Sequence, residues 1–109
     1  MILAIDQSTS ATKAVLFSER AGLVDKSSRE HRQIYPRPGW VEHDPEEIWR
    51  NTLDACREVL SRHDAASVTQ VSLTNQRETI VVFDRGTGRP LCNALVWQDR
   101  RGDELCQRL

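Results

Sequence analysis

The chain has 109 residues, and its fifteen basic and sixteen acidic side chains leave a formal net charge of -1. This balance gives no basic face for nucleic acid or for an anionic membrane surface. The cysteines, Cys56, Cys92 and Cys106, form no C-x-x-C pair, so neither a disulfide framework nor a zinc site is indicated. No apolar run is long enough to span a membrane, and we expect a single, small, cytoplasmic domain at most.

The first part of the chain predicts a three-stranded meander. Apolar runs at 2–5 and 13–17 indicate two strands, and a largely polar third strand at 23–32 indicates an edge position. Pro36, Pro38 and Gly39 then interrupt regular structure. We expect Tyr35 and Trp40 to anchor this excursion by burying their rings.

A helix start follows at the sequence HDPEE. Asp44 is a good N-cap, Pro45 suits the first helical position, and Glu47 lies three residues after the cap, where it could complete a capping box. Apolar residues then recur at spacings of three and four, which predicts an amphipathic helix to about residue 62. Its apolar face consists of Ile48, Trp49, Thr52, Leu53, Cys56, Val59 and Leu60.

The second half predicts three further strands and the start of a helix. Residues 68–73 form the first strand, and residues 79–84 and 91–97 form a hairpin through the turn RGTGRP. The last residues begin an apolar helical face without a stop signal, so we expect residues 1–109 to be part of a larger domain. The histidines have no metal-ligand spacing and are expected at the surface.

Two polar segments could carry chemistry. Between the first two strands, the hydroxyls of Ser8, Thr9, Ser10 and Thr12 could bind phosphate oxygens, with Lys13 adding charge and Asp6 a ligand for Mg²⁺. The alternative is that these side chains only form the turn. Neither a P-loop nor a G-x-G-x-x-G pattern is present, so any nucleotide must be held differently.

The second segment is NQRE, directly after the strand predicted at 68–73. Arg77 offers a planar fork of donors and Glu78 two acceptor oxygens, a combination that suits the vicinal hydroxyls of a polyol. The alternative is an ion-paired surface dipeptide. Trp97, which ends the last predicted strand, could pack on the C–H side of such a ligand or lie in the core. Trp40 and Trp49 are assigned to packing.

The chain resembles the amino-terminal segment of the FGGY carbohydrate kinases in four stretches, which keep the family's order and spacing from residue 5 to residue 101. These stretches are DQSTSATK, IYPRPGWVEHDPEEIW, TNQRET and NALVWQDRR. TNQRET resembles the glycerol kinases of the family, because members acting on five- and six-carbon sugars usually carry a GQ-containing sequence there. Lys13 stands where arginine is usual, so the loop keeps a charge and loses a bidentate fork.

The resemblance implies an α/β fold with an RNase H-like mixed sheet, as in actin-like ATPases. It also implies that the full-length protein uses ATP and Mg²⁺ to phosphorylate glycerol, and we expect that protein to be a homo-oligomer. A kinase for another polyol or sugar stays open, as does a catalytically dead polyol- or nucleotide-binding module. The catalytic base is implied to lie downstream of Leu109, so we expect residues 1–109 alone to be inactive.

The resemblance also assigns roles to individual residues. It implies that Asp6 helps to hold Mg²⁺ and that four residues of the first loop contact phosphate. It further implies that three residues line the glycerol pocket. The phosphate-contacting residues are Thr9, Ser10, Ala11 and Lys13, and the pocket residues are Arg77, Glu78 and Trp97.

Overall fold

Six strands and one long helix carry the fold. The computed structural model describes all 109 residues. In chain order the elements are β1 (Ile2–Gln7), β2 (Ala11–Phe17), β3 (Leu23–Glu30), β4 (Glu42–His43), α1 (Pro45–Ser61), a 3₁₀ turn at Ala65–Ser67, β5 (Gln70–Asn75), β6 (Ala94–Leu95) and a short α2 (Asp103–Cys106). None of the helices combines the length and the apolar character that crossing a bilayer requires.

The main sheet is mixed, as predicted, with the strand order β3-β2-β1-β5. The meander of β1, β2 and β3 is antiparallel, and β3 forms the expected polar edge. β5 pairs in parallel with β1, with Asp6 opposite Thr74 and Gln7 opposite Asn75. Because the two strands run in the same direction, the loops that follow them lie at the same end of the sheet.

The helix start is confirmed, although one of its details is not. The Asp44 side chain accepts a hydrogen bond from the backbone N–H of Glu46 at 2.9 Å, as an N-cap should. The predicted capping box is wrong, because the Glu47 carboxylate accepts the backbone N–H of Arg32 at 2.7 Å. Glu47 therefore fastens the preceding loop to the helix instead of closing the helix's own first turn.

α1 packs on one face of the sheet and forms the core there. Five buried side chains make up this core: Leu3, Ala14, Leu16, Ala55 and Val59. The helix covers β1, β2 and β3, whereas Val71 and Leu73 on β5 stay exposed. Trp49 was expected to pack on this face and is 58% exposed, so that prediction is wrong.

In the loop before α1, several residues are buried or exposed contrary to expectation. His31 and His43 are buried, not at the surface, and both have hydrogen-bond partners that make their burial tolerable. Tyr35 is exposed instead of anchoring the loop. Trp40 is partly buried and lies beneath the guanidinium of Arg101, 3.8 Å from its ring centroid, which is a cation–π contact.

The hairpin predicted for residues 79–84 and 91–97 does not form as two strands. Only the isolated bridges Ile80–Leu95 and Phe83–Pro90 connect the two runs. The register shifts between the two bridges, because the first run advances by three residues from Ile80 to Phe83 and the second by five from Pro90 to Leu95. Leu95 also pairs with Glu42, so that β6 joins β4 in a small second sheet. This second sheet brings residues 94–97 beside the loop that leads into α1.

Candidate functional site

The hydroxyl loop, Ser8, Thr9 and Ser10, connects β1 to β2. The backbone N–H and the hydroxyl of Ser8 both bond to the carbonyl of Ala11, at 3.0 and 2.9 Å, so Ser8 is a turn-forming residue. Ser10 is exposed, and Thr9 turns its hydroxyl towards Trp97. The turn-forming alternative therefore holds for Ser8, while Thr9 and Ser10 stay available to a ligand. The expectation for Thr12 is wrong, because its side chain is buried and its hydroxyl bonds to His31 Nε2 at 3.0 Å.

Asp6 and Lys13 face each other across β1 and β2. They are paired in register, and strand alternation puts both on the sheet face opposite α1. Lys13 is exposed and Asp6 is half-buried. Lys13 lines a cavity of about 760 Å³ together with the hydroxyl loop, Ala11 and Gln98. Asp6 is not among the residues that line this cavity.

The NQRE turn, residues 75–78, follows β5 at the same end of the sheet. Arg77 and Glu78 are exposed there, and Glu78 has a backbone φ of +68°, in the left-handed region that side chains other than glycine rarely adopt. A second cavity of about 360 Å³ is lined by Asn75, Arg77, Glu78 and Trp97. The guanidinium and the carboxylate are therefore held at one opening together with an aromatic face.

Trp97 lies between the two cavities. Its indole Nε1–H donates to the Thr9 hydroxyl at 2.8 Å, and its backbone N–H donates to the Thr79 hydroxyl at 3.2 Å. With 51% of its surface exposed, the residue is not a core tryptophan. Trp97, 88 residues along the chain from Thr9, thus connects the hydroxyl loop to the cavity that the NQRE turn lines.

An ion cluster lies directly after Trp97 and fastens this segment of the chain to the loop before α1. Asp99 accepts the backbone N–H of Val41 at 2.7 Å and contacts the Arg101 guanidinium at 2.8 Å. The hydrogen bond from Arg101 holds the pKa of the Asp99 carboxyl down at about 2. Arg101 also reaches Glu42 at 2.8 Å, so the residues after Trp97 are tied to β4.

Sequence reasoning missed the polar residues behind the site. The rings of His31 and His43 lie 5.9 Å apart, and burial lowers the pKa of both imidazoles. Gln33 and Gln76 bond to His43 from opposite sides. The only sequence signal for His43 was its position directly before the helix cap at Asp44, and that position did not indicate burial.

Comparison with known proteins gives this arrangement a family. The model of the FGGY family of carbohydrate kinases, N-terminal domain, matches residues 1–109. Glycerol kinase 1 of Thermotoga maritima is 51% identical over 110 residues, covering 99% of this chain. The structure of Plasmodium falciparum glycerol kinase with ADP has a TM-score of 0.88 at 41% identity, covering 98% of this chain.

The likeness in fold extends further than the likeness in sequence. A xylulose kinase from Lactobacillus acidophilus has a TM-score of 0.90 at 22% identity, covering 98% of this chain and 21% of that one. The chain spans only 22% of the length of the Thermotoga maritima and Plasmodium falciparum proteins. The mixed-sheet α/β fold expected from the resemblance is confirmed, and the chain belongs to the FGGY family of carbohydrate kinases.

Proposed function

We propose that this chain is the amino-terminal part of a glycerol kinase, which transfers the γ-phosphate of ATP to a terminal hydroxyl of glycerol. The observation that carries the proposal is the hydrogen bond between Trp97 and Thr9, because it joins the hydroxyl-rich loop to a tryptophan that lines the same cavity as Arg77 and Glu78. Phosphoryl transfer depends mainly on positioning two substrates and stabilising charge between them. A cleft with two chemically different sides meets the first of these needs.

The polyol side consists of Arg77, Glu78 and Trp97. Each hydroxyl of a polyol both donates and accepts hydrogen bonds, so a guanidinium fork and a carboxylate at one opening complement neighbouring hydroxyls. The exposed indole offers an apolar face for the C–H side of the molecule. The relatives named glycerol kinase, at about half identity over almost the whole chain, favour glycerol over larger polyols.

The phosphate side consists of Thr9, Ser10, Ala11 and Lys13. The hydroxyls can donate to phosphate oxygens, the Lys13 ammonium adds a positive charge at the same cavity, and the small Ala11 side chain leaves room beside them. The structure of Plasmodium falciparum glycerol kinase with ADP supports a nucleotide in this family. We infer that ATP is the phosphate donor.

Mg²⁺ fits the donor set around Asp6. The ion keeps several waters and usually takes one or two carboxylates together with substrate phosphates. Asp6 is a single carboxylate that is paired in register with Lys13 and lies on the same face of the sheet. The structure has no group of three or more His, Cys, Asp or Glu side chains that could form a dedicated metal site. Asp6 would hold the ion through its water shell, and the ion would neutralise charge on the phosphates.

In the proposed full-length protein, residues 1–109 and the remaining chain supply different parts of the active site. Residues 1–109 form part of its amino-terminal domain, and the remainder supplies the catalytic base, the adenine pocket and a second ATPase-like domain. We expect the full-length enzyme to be cytoplasmic and homo-oligomeric. No residue of this chain is assigned as the base, so the chain by itself should release no ADP from ATP and glycerol.

A coupled ADP-release assay tests the proposal on the full-length kinase with ATP and Mg²⁺. Glycerol should give a higher kcat/KM than erythritol or xylulose. Arg77→Lys removes the fork and should raise the KM for glycerol about tenfold, in line with the loss of a charge-assisted hydrogen bond. Arg85→Lys, an exposed arginine outside both cavities, is the matched control. Preference for xylulose or erythritol, or no turnover, would refute the proposal.

A further inference from the structure

Six residues behind the cleft form a closed circuit of hydrogen bonds, here called the polar ring. Its members are Thr9, Gln33, His43, Gln76, Thr79 and Trp97. Four of them take part through their side chains alone, whereas Thr9 also uses its backbone carbonyl and Trp97 its backbone N–H. The contacts around the ring measure between 2.8 and 3.3 Å. The ring passes through the hydroxyl loop on one side and through the NQRE turn on the other, so it connects the two halves of the site a second time.

The direction of every bond in the ring follows from Gln33. Its Nε2 lies 3.1 Å from two backbone carbonyls, those of Thr9 and His31, which can only accept. Its Oε1 is therefore the atom that faces His43, and His43 Nε2, at 2.8 Å, must donate to it. The His43 proton is thereby assigned to Nε2.

The remaining bonds then have one consistent arrangement. His43 Nδ1 is left as an acceptor, and the Gln76 amide N–H, at 3.3 Å, donates to it. The Oε1 of Gln76 accepts the Thr79 hydroxyl proton at 2.8 Å. The Thr79 oxygen accepts the backbone N–H of Trp97, whose indole N–H goes to Thr9. No member of the ring needs an extra proton, and no buried side-chain polar atom of the structure lacks a partner.

His43 is the member of the polar ring whose hydrogen bonds are the hardest to replace, because it is the most deeply buried. Its side chain is fully buried, whereas Gln33, Gln76 and Thr79 are half-buried and Trp97 is half-exposed. A buried polar group that loses its partner costs more than an exposed one, because water cannot replace the bond. Burial, together with the nearby His31, lowers the pKa of His43, while Glu47 acts in the opposite direction. The uncharged form that the ring requires is thus favoured.

We propose that His43 is a positioning residue, which through Gln33 and Gln76 fixes the NQRE turn relative to the hydroxyl loop and so sets the geometry of the polyol side. Gln76 directly precedes Arg77 and lies two residues before Glu78, whose left-handed backbone needs support from its surroundings to persist. The inference rests on the proposed function for its substrate. The ring itself is independent of which polyol is bound.

Two variants break the ring at different places. His43→Met keeps a side chain of similar size without either hydrogen bond, and Thr79→Val keeps the shape of threonine without its hydroxyl. Thr79→Ser restores the hydroxyl and is the rescue variant. Thr52→Val is the matched control, because the Thr52 hydroxyl bonds only to the Ile48 carbonyl within α1, away from the ring.

Steady-state kinetics of the full-length kinase give the first readout. His43→Met and Thr79→Val should each raise the KM for glycerol about tenfold, with the KM for ATP within about twofold of the parent. The double variant should be no worse than the poorer single variant, because a ring already opened loses little from a second break. Thr79→Ser should recover most of the affinity for glycerol. Additive effects, or an unchanged KM for glycerol in a folded Thr79→Val protein, would overturn the proposal.

A second readout separates this inference from the proposed function. In protein labelled with ¹⁵N at histidine and tryptophan, His43 should show a proton on Nε2 and none on Nδ1. Thr79→Val should move the Trp97 indole N–H signal, and Thr52→Val should leave it in place. If the parent does not phosphorylate glycerol, the proposed function fails, and these signals still decide the ring. A proton on Nδ1, or an indole signal unmoved by Thr79→Val, would overturn it.

Discussion

The left-handed backbone of Glu78 predicts a conflict between stability and binding at one residue. Its φ is +68°, and the only other residue besides glycine with a positive φ is Ala21, at +59° in the turn between β2 and β3. In this region the Cβ atom crowds the following carbonyl oxygen, at a cost of about 1–2 kcal/mol. Glu78 therefore occupies a conformation that suits glycine, at a position where we propose that its carboxylate binds the substrate.

Comparing glycine with alanine at residue 78 isolates the energetic cost of the left-handed backbone. Glu78→Ala and Glu78→Gly both remove the carboxylate, and only glycine removes the crowding. Glycine also makes the unfolded chain more flexible, which offsets about 0.4–1 kcal/mol of the gain. We therefore expect Glu78→Gly to be more stable than Glu78→Ala by about 1 kcal/mol, which shifts the urea midpoint by about 0.5 M for a chain of this size.

Urea unfolding of the 109-residue chain, followed by circular dichroism, measures this difference. Ala21→Gly is the matched control: it relieves the same kind of backbone in an exposed turn away from the cleft, and it should also raise the midpoint. In the full-length kinase both Glu78 variants should lose affinity for glycerol, and Ala21→Gly should not. Equal midpoints for Glu78→Ala and Glu78→Gly, with a gain for Ala21→Gly, would refute the assignment of strain to Glu78.

Three further predictions concern the core, the ion cluster and the cleft. Leu16→Ala should lower the free energy of unfolding in urea by about 2–5 kcal/mol, because Leu16 is fully buried. The exposed Leu23→Ala should have a small effect, and an equally small effect of Leu16→Ala would contradict this prediction. The hydrogen bond from Arg101 lowers the pKa of Asp99 from 3.8 to about 2, so its stabilisation is present above pH 3.8 and is lost as the pH falls towards 2. Asp99→Asn should remove that part of the acid dependence of the urea midpoint, and an unchanged dependence would count against the pairing. Trp97→Phe keeps an aromatic face without the indole N–H and should raise the KM for glycerol about two- to tenfold, whereas an unchanged KM would argue against the bond to Thr9.

Structural elements that depend only on neighbouring residues were predictable from the sequence. The cap at Asp44 and the proline after it depend on residues within one helical turn, and the helix starts where they indicate. The hairpin after residue 79 forms only in part, because the register of its two runs is not contained in the local pattern. Leu95 pairs with Ile80 on one side and with Glu42 on the other, and the register shifts before the bridge of Phe83 to Pro90, so a regular ladder of the predicted length does not form.

The individual residues of the site were predictable from the sequence, and the hydrogen bonds that connect them were not. The residue types at Asp6, Lys13, Arg77 and Glu78 indicate their chemistry wherever they stand, and their positions after predicted strands indicate one end of a sheet. The burial of His43 could not be inferred in this way. Its two partners lie 10 and 33 residues away along the chain, and a histidine without known partners is expected at the surface.

The division of the cleft that we propose would let one fold serve kinases of different specificity. In that proposal the phosphate side rests on a strand pair, since Asp6 and Lys13 are paired in a regular antiparallel register, and this register is a property of the sheet. The polyol side depends on a turn with a strained residue and on a side chain contributed from the far end of the chain. Such features are fixed by particular side chains, not by the sheet. Changes in the NQRE turn and in its hydrogen-bonded support should therefore alter the choice of polyol while the sheet, and with it the handling of phosphate, stays the same.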